Sequence, residues 1–570
     1  MYWKKFIHPY RYKAIIGFIF KLAEALLELC VPMVIAQLVD NGVAKGDTHY
    51  IMMCAIKLFG LAMAGYACAL VCQYFASVTS QGFGTLMRKD MFEAINAYDY
   101  DNLDEMGTPT LITRITSDVN QMQDLVAMTI RLVSRSPFLI VGSLVAAFLI
   151  NVQVAIIFLV ISPLIALSIY LVMSHTQPLY MKVQHILDQV SLITRENLSG
   201  VRVIRAFNKQ SSEVARFDQT TEAQRNEQVH AGNIAALLNP STTIIVNVGI
   251  IFILYVSGMK INAGSLSQGD VIALINYMNQ ILLSMYVFSN VILLYIKGSA
   301  SYKRISQVLD TKPSFTQGEK EAPASYTHMI TFDHVSFSYQ ESDALTDVSF
   351  TIKPHQTIGI IGGTGSGKST LVNLIPRFYE AQKGRITIKD QDIKDYTFAA
   401  LRKMIGFVPQ AATLFSGTIR ENLLWGNKEA SEEDIQKALE ISQAKEIVDK
   451  MKEGLDTRIE ASGKNVSGGQ RQRLTIARAL VRQPEILILD DSASALDFAT
   501  DAKLRRALKT LDTTTIIVSQ RVSALRHADA IIVLDHGAVS AIGSHDTLMQ
   551  TSSLYQEIVH SQEEGDTHEA

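Results

Sequence analysis

The stretch TIGIIGGTGSGKST, residues 357–370, joins a short apolar run to a glycine-rich turn that ends in Lys368, Ser369 and Thr370. It matches the pattern G-x-x-x-x-G-K-[ST], and the LVNLIPRF that follows can form a helix. Glycines in such a turn let backbone N–H groups wrap around phosphate oxygens at the start of a helix. A strand, this loop and a helix in that order therefore predict an α/β domain that binds a phosphorylated ligand.

Further β-rich runs lie on both sides of the loop, separated by helical stretches: MITFDHVSFSY (329–339), ILILD (486–490), TTIIVS (514–519) and AIIVLD (530–535). This alternation favours a largely parallel sheet in a domain spanning residues 329–560. Asp490 ends the run ILILD, where its carboxylate would reach a Mg²⁺ ion on the phosphates. A buried structural aspartate is the alternative. Residues 311–328 are predicted to be a linker, and residues 561–570 a disordered acidic tail.

Residues 1–310 have a different composition, with six apolar stretches that are each long enough to cross the ~30 Å hydrocarbon core as a helix of about 20 residues. These stretches are 14–38, 52–78, 132–150, 154–173, 235–259 and 271–296. Lys and Arg concentrate in the N-terminus and in two long connections, which places these segments in the cytoplasm. The basic, aromatic start MYWKKFIHPYRYK predicts an interfacial elbow rather than a removed signal peptide.

The composition excludes several other classes of protein. A net charge of −3 over 570 residues gives no indication of a nucleic-acid partner. The four cysteines all lie in the first apolar stretches, without histidines at metal-ligand spacing. We therefore predict neither a disulfide scaffold nor a cysteine metal site.

The segment VSGGQRQRLTIARAL, 466–480, completes a set of motifs that resembles the nucleotide-binding domain of ATP-binding cassette (ABC) proteins. With six spans ahead of it, nearly the whole chain resembles an ABC exporter half-transporter. The implied fold is a six-helix transmembrane bundle followed by an α/β P-loop nucleotide-binding domain with a helical subdomain. NLDEMGTPTLITRITSDVNQ (102–121) and ENLSGVRVIRAFNKQ (196–210) resemble the two cytoplasmic coupling regions of that family. The resemblance implies an ATPase that drives transport and uses ATP with Mg²⁺.

The resemblance also assigns site residues. The implied ATP contacts are Tyr339, Gly362, Gly363, Thr364, Gly365, Ser366, Gly367, Lys368, Ser369, Thr370 and Gln410. Within this set Tyr339 would stack on adenine, with a core tyrosine as the alternative, and Ser369, Gln410 and Asp490 would hold Mg²⁺. In the family two such domains meet head to tail, so the signature residues complete the ATP site of the opposite chain. Those residues are Ser467, Gly468, Gly469 and Gln470. Asp497 resembles the loop residue that communicates between the two sites.

Two positions depart from the family pattern. Asp491 stands where active cassettes carry the catalytic glutamate, and Gln520 stands where they carry a switch histidine. A carboxylate one methylene shorter misplaces its water, and a displacement of about 1 Å can cost ~10²-fold in rate. Glutamine cannot become cationic, so it stabilises developing charge less well than histidine. Together the two residues predict a site that binds ATP and hydrolyses it slowly.

An intact signature combined with these two departures resembles the degenerate-site subunit of bacterial heterodimeric multidrug ABC exporters. It implies a sister half-transporter as partner, and ATP-driven export of multidrug-like or lipid-like amphipathic small molecules. The chain would be multi-pass in the bacterial cytoplasmic membrane, in contact with lipid, with its N-terminus and nucleotide-binding domain in the cytoplasm. A homodimeric exporter with slow hydrolysis, or an ATP-gated channel or regulatory ABC protein, is the alternative.

Candidate substrate residues lie in the first and last spans. Glu24 and Glu28 share one helix stripe with Lys21. Charges in a span face protein or a water-filled cavity, so the two glutamates either attract cationic amphipaths or form structural ion pairs. The last span contributes Tyr277, Met285 and Tyr286, which suit a promiscuous cavity or ordinary helix packing. Asp40, at the outer end of the first span, either helps to close an external gate or is a solvated helix-end residue.

Overall fold

A computed structural model describes residues 2–339, 342–492 and 495–568, which form two compact units. The first unit contains residues 2–97 and 106–312, and the second contains residues 98–105 together with the described residues from 313 onward. The short segment 98–105 is thus separated in sequence from the rest of its unit.

The described chain up to residue 310 is helical. Its α-helices are α1 (Tyr2–Ile7), α2 (Arg11–Gln37), α3 (Thr48–Ala97), α4 (Tyr100–Met106), α5 (Thr108–Thr113), α6 (Val119–Met128), α7 (Arg135–Ile150), α8 (Val152–Ser199), α9 (Val201–Ala206), α10 (Gln210–Ala236), α11 (Leu238–Asn262) and α12 (Gln268–Asp310). Short polar turns separate some of the long helices. The Asn151 side chain accepts hydrogen bonds from the N–H groups of Gln153 and Val154 and starts α8, and Ser267 forms a capping box with Asp270 at the start of α12.

Five helical stretches are long and apolar enough to cross a membrane: Thr48–Ala97, Thr108–Ile150, Val152–Ser199, Gln210–Asn262 and Gln268–Asp310. They contain 43 to 53 residues, about twice the ~20 that a bilayer requires, so each also extends beyond the hydrocarbon core. Helix α2 has 27 residues and carries the three charged residues of the first predicted span. With α2, these helices confirm the six-span bundle expected from the sequence.

The second unit is built on two larger sheets. Its strands are β1 (Ile330–Tyr339), β2 (Ser342–Ile352), β3 (Thr357–Gly362), β4 (Lys383–Ile388), β5 (Gln391–Asp392), β6 (Ile405–Val408), β7 (Gly417–Thr418), β8 (Arg458–Ile459), β9 (Ile486–Asp490), β10 (Thr514–Val518), β11 (Ala530–Asp535) and β12 (Ala538–Gly543). One sheet has the order β12-β11-β3-β10-β9-β6, and only its edge strand β12 pairs antiparallel. The other sheet, β2-β1-β4-β5, is antiparallel and includes the run 329–339. The predicted largely parallel sheet is confirmed.

Helices cover these sheets and form a separate helical layer. They are α13 (Lys368–Leu374), α14 (Phe398–Lys403), α15 (Ile419–Leu424), α16 (Glu432–Ile441), α17 (Lys445–Lys450), α18 (Gly468–Val481), α19 (Phe498–Leu508), α20 (Val522–Leu525), α21 (His545–Thr551) and α22 (Ser553–His568). Helices α15 to α18 pack around an apolar cluster that includes Leu423, Leu439 and Leu474 and continues onto β6 and β9 of the parallel sheet. This layer is the helical subdomain expected from the sequence.

The strand order positions the functional site. Strands β3, β10 and β9 are adjacent and parallel, with Val518 opposite both Ile360 and Asp490. Every residue of β9 is buried, as is typical of a parallel strand covered on both faces. Because the carboxyl ends of parallel strands meet at one edge of a sheet, the segments after residues 362, 490 and 518 converge there.

Two segments differ from the expectations for linker and tail. Most of the predicted linker, from residue 313 onward, belongs to the second unit, where the N–H groups of Gly318 and Lys320 donate to the carbonyl oxygens of Tyr396 and Asp395. The sequence predicts disorder over 561–570, but α22 continues to His568, and residues 569 and 570 lie outside the described part. Tyr555 and Val559 are buried one helical turn apart, so the polar residues extend a helix that is already anchored.

Candidate functional site

The loop of residues 363–367 joins the buried strand β3 to α13. Gly367 has φ +93°, and a Cβ added there would lie 2.6 Å from the carbonyl oxygen of Ala344. Glycine is therefore required at this turn. A Cβ at Gly363 or Gly365 would meet nothing within 4 Å, so these residues face open space. The loop thus leaves room for a ligand to approach its backbone closely.

Lys368 is folded back over this loop. Its side chain is 9% exposed, and Nζ donates hydrogen bonds to the carbonyl oxygens of Gly362 (2.9 Å) and Gly363 (2.7 Å). Burial lowers the pKa of Lys368, and the carboxylates of Asp491 and Asp490 act in the opposite direction. The ammonium group therefore lies inside the loop and close to two acids, where it can reach phosphate oxygens.

Asp490, at the end of β9, meets Ser369 in the first turn of α13. Ser369 Oγ donates to Asp490 Oδ1 at 3.1 Å, and Asp490 is 5% exposed. Burial raises the pKa of Asp490, the hydrogen bond from Ser369 lowers it, and the neighbouring charge of Asp491 raises it further. Two hard oxygen ligands thus lie side by side, which suits Mg²⁺. The described residues contain no group of three His, Cys, Asp or Glu that would hold a metal ion unaided.

Asp491 follows directly and has an unusual backbone. Its φ of +43° is left-handed, and its N–H donates to the carbonyl oxygen of Val518 at 3.0 Å. Aspartate tolerates this conformation better than most residues do. Burial raises the pKa of Asp491, while Arg521, Lys368 and a hydrogen bond from Gln410 lower it. The side chain of Gln410 therefore contacts the Asp491 carboxylate.

A cavity of about 410 Å³ brings the predicted ATP residues together. Its lining comprises Tyr339, Ser342, Asp343, Ala344, Thr364, Gly365, Ser366, Gly367, Lys368, Ser369, Thr370, Gln410, Asp490, Asp491, Val518, Ser519 and Gln520. Gly362 and Gly363 do not line it but hold Lys368 through their carbonyl oxygens. Motif reasoning missed Ser342, Asp343 and Ala344, because the pairing of β2 with β1 brings them beside Tyr339 and no sequence pattern marks them.

Tyr339 is partly buried against other aromatic rings. Its ring packs edge-on against Phe337 at 4.8 Å and Tyr379 at 5.2 Å between centroids, and burial raises its pKa. The Tyr379 hydroxyl donates to Asp104 at 2.7 Å, and Tyr100 stacks on Phe378 at 4.8 Å. Segment 98–105, which overlaps the first predicted coupling region, therefore contacts the aromatic cluster beside the cavity.

The signature residues lie outside this cavity, at the start of α18. Ser467 Oγ accepts a hydrogen bond from the N–H of Gln470, whose side chain accepts from the N–H of Ser467. A Cβ at Gly468 would meet nothing within 4 Å, so the backbone there is open to an approaching group. Asp497 caps α19 by accepting from Thr500, a hydrogen bond that lowers the pKa of this exposed carboxylate.

Each candidate glutamate of the first span has a basic partner. Glu24 pairs with Lys21 at 2.8 Å, and Glu28 pairs with Arg135 at 2.8 Å. These contacts favour structural ion pairs over free carboxylates. Both glutamates do line a small cavity of about 290 Å³, together with Arg135. Arg135 lies 107 residues from Glu28, and no sequence pattern identified it as the partner.

The last span places its three candidate residues in or against one apolar cluster, where each makes a different contact. Tyr277 is 0% exposed, and its hydroxyl donates to the carbonyl oxygen of Leu29 at 2.8 Å, so it is a packing residue. Tyr286 bonds to Thr242. Met285 lines an apolar cavity of about 510 Å³. Asp40 is partly buried, and its Oδ1 accepts a hydrogen bond from the N–H of Gly269 at 2.8 Å near the start of α12.

Comparisons with known proteins agree with this architecture. The ABC transporter transmembrane region family matches residues 14–285, and the ABC transporter family matches residues 345–494. The chain is 38% identical over 559 residues to an uncharacterized ABC transporter ATP-binding protein of Bacillus subtilis, which covers 98% of this chain and 97% of that protein. It is 30% identical over 535 residues to an ATP-dependent lipid A-core flippase of Chromobacterium violaceum, which covers 93% and 91%.

A solved structure of a bacterial Atm1-family ABC exporter with ATP bound has the same fold. The TM-score is 0.81 at 23% identity, with 97% of this chain and 99% of that chain covered. The membrane helices, the nucleotide-binding domain and the relatives lead to one assignment. The chain belongs to the ABC transporter family and is an exporter half-transporter, a multi-pass membrane protein whose ATPase domain is coupled to transport.

Proposed function

We propose that this chain is the half of a heterodimeric ABC exporter that carries the slow ATP site. The observation that carries the proposal is the presence of Asp491 and Gln520 in the same cavity as Lys368 and Asp490. Residues for binding phosphate and cation are present there, whereas the two positions that would accelerate hydrolysis have a shortened carboxylate and a neutral amide. The site is built to hold ATP and not to turn it over quickly.

Each residue of the site has a distinct role in this proposal. Backbone N–H groups of the 363–367 loop and the ammonium of Lys368 bind the β- and γ-phosphates. Ser369, Asp490 and Gln410 would hold Mg²⁺, which would neutralise phosphate charge. Tyr339 packs on the adenine ring. Gly362 and Gly363 shape the start of the loop, and Thr364 to Ser366 and Thr370 complete the cradle.

The sister chain supplies the fast site. Exporters of this family work as dimers, and in a head-to-tail pair the signature Ser467–Gln470 completes the site built on the sister's phosphate loop. Its intact sequence and its open glycine backbone support this role. Asp497, at the start of α19, links the two sites. Binding of ATP at both sites closes the nucleotide-binding domains, and hydrolysis at the sister's Walker residues resets the transporter.

The transported molecule is amphipathic, either multidrug-like or lipid-like. An apolar cavity lined by Tyr170, Met173, Met285 and Phe288 supports this class, because flexible sulfur and aromatic side chains accommodate varied apolar shapes. The similarity to a lipid A-core flippase favours the lipid-like member of the class. The protein acts in a bacterial cytoplasmic membrane, with its N-terminus and nucleotide-binding domain in the cytoplasm.

Steady-state ATPase activity in lipid nanodiscs tests the heterodimer. We expect the chain alone to hydrolyse ATP about 100-fold more slowly than the chain reconstituted with the half-transporter encoded beside it, because only the sister supplies a well-placed carboxylate. Replacing the sister's catalytic Glu by Gln should abolish the gain. Rapid turnover by the single chain would favour the homodimer instead, and ATP-dependent ion conductance without uphill transport would favour a channel.

A further inference from the structure

The last helix reaches the loop that carries Gln520. On α22, Gln562 Nε2 donates to the main-chain carbonyl oxygen of Gln520 at 2.7 Å, and Gln562 Oε1 accepts from the N–H of Val522 at 2.9 Å. A carboxamide presents one donor and one acceptor side by side, as a peptide group does. A single side chain therefore holds the main chain on both sides of Arg521.

The rest of this loop has a fixed start and an exposed middle. The N–H of Ser519 donates to the carbonyl oxygen of Ile360 at 3.1 Å, and the N–H of Arg521 donates to Ser519 Oγ at 3.0 Å. Gln520 and Arg521 are exposed, whereas Ser519 and Val522 are buried. Because the side chain of Gln520 has little packing to orient it, the direction of its backbone decides where it points.

The helix that carries Gln562 is firmly packed. Tyr555 is 0% exposed and Val559 is 5% exposed, and they belong to the same apolar cluster as Val522 and Leu525. The helix that carries Gln562 is thus packed against the helix that begins just after the loop. Because α22 is packed in this way, the Gln562 side chain can hold the loop of Gln520 in a fixed position.

We propose that Gln562 is a positioning residue of the ATP site, which directs Gln520 toward the γ-phosphate by holding its main chain from the C-terminal helix. The inference rests on the proposed role of Gln520 as the residue that faces that phosphate. Its consequence is that the C-terminal helix controls how long ATP is retained at this site.

The release rate of mant-ATP with Mg²⁺ from the full-length chain in nanodiscs tests this role. We expect Gln562→Ala to speed release about fivefold, because Gln520 would no longer be held in place to donate its one hydrogen bond to the γ-phosphate. Gln556→Ala is the matched control, because Gln556 lies on the same helix but its Nε2 donates to the carbonyl oxygen of Met549 at 2.6 Å, away from the loop. This control should leave the release rate unchanged. Equal acceleration by both variants would show a purely structural effect and overturn the inference.

A double variant separates this inference from the proposed function. Gln520→Ala should itself speed release, and in that background Gln562→Ala should add nothing, because the side chain that it positions is gone. If Gln520→Ala speeds release but Gln562→Ala does not, the role of Gln562 is overturned while that of Gln520 stands. If Gln520→Ala leaves release unchanged, the proposed role of Gln520 fails first, and the positioning role fails with it.

Discussion

Restoring the family residues at positions 491 and 520 should make this chain's own ATP site hydrolyse ATP faster. The perturbation is Asp491→Glu combined with Gln520→His, both in the cavity of about 410 Å³ that contains Lys368. Glutamate extends the carboxylate by one C–C bond of about 1.5 Å into that cavity. Histidine adds a donor that can become cationic beside the γ-phosphate.

The expected increase in the hydrolysis rate follows from these two side-chain changes. A misplacement of about 1 Å costs ~10²-fold, so Asp491→Glu alone should raise the hydrolysis rate about 10- to 100-fold. Loss of one donor to developing charge costs about 10²–10³-fold, but glutamine already supplies a neutral donor, so Gln520→His should add about tenfold. Asp491 has φ +43°, which glutamate tolerates less well, so the variant should also lose about 1 kcal/mol of stability.

Single-turnover hydrolysis, with protein in excess over radiolabelled ATP, measures the gain for the chain in nanodiscs. Asp535→Glu is a matched control, since Asp535 ends strand β11 of the same sheet and has an exposed side chain outside the cavity. Its rate should stay within about twofold of the wild type. An unchanged rate in the double variant, with mant-ATP affinity and thermal unfolding preserved, would refute the explanation that residues 491 and 520 make this site slow.

Two further substitutions test contacts seen in the structure. Glu28→Gln should weaken the pairing with Arg135 and lower the melting temperature in nanodiscs while leaving efflux of cationic dyes unchanged; a selective loss of dye efflux at unchanged stability would instead make Glu28 a substrate residue. Gly367→Ala should lower the free energy of unfolding by about 1–3 kcal/mol and abolish mant-ATP binding. It places a Cβ 2.6 Å from the carbonyl oxygen of Ala344 at a residue with φ +93°. Normal nucleotide affinity in the glycine variant would contradict the strained turn.

Contiguous motifs made much of the ATP site predictable from sequence. The phosphate loop collects its donors from consecutive residues 362–370, so its local chemistry does not depend on the rest of the fold. Asp490 ends a fully buried strand and Asp491 follows it, and the parallel arrangement of the β-rich runs brings strand ends to one edge. For this reason the loop, both carboxylates and Gln520 line one cavity.

Hydropathy and contiguous motifs already indicated the family architecture, the six spans and most of the residues that line the phosphate-loop cavity, because both are local properties of the chain. Which distant groups meet depends on the packing of the folded chain: Arg135 pairs with Glu28, Gly269 with Asp40, Asp104 with Tyr379 and Gln562 with the loop of Gln520. Within the membrane the reason is that faces toward lipid and toward protein are both apolar, so hydropathy does not encode helix register. In the nucleotide-binding domain, the side chains that hydrogen-bond to a loop's main chain belong to no sequence motif. They are therefore identified only once the packing of the helices and strands is known.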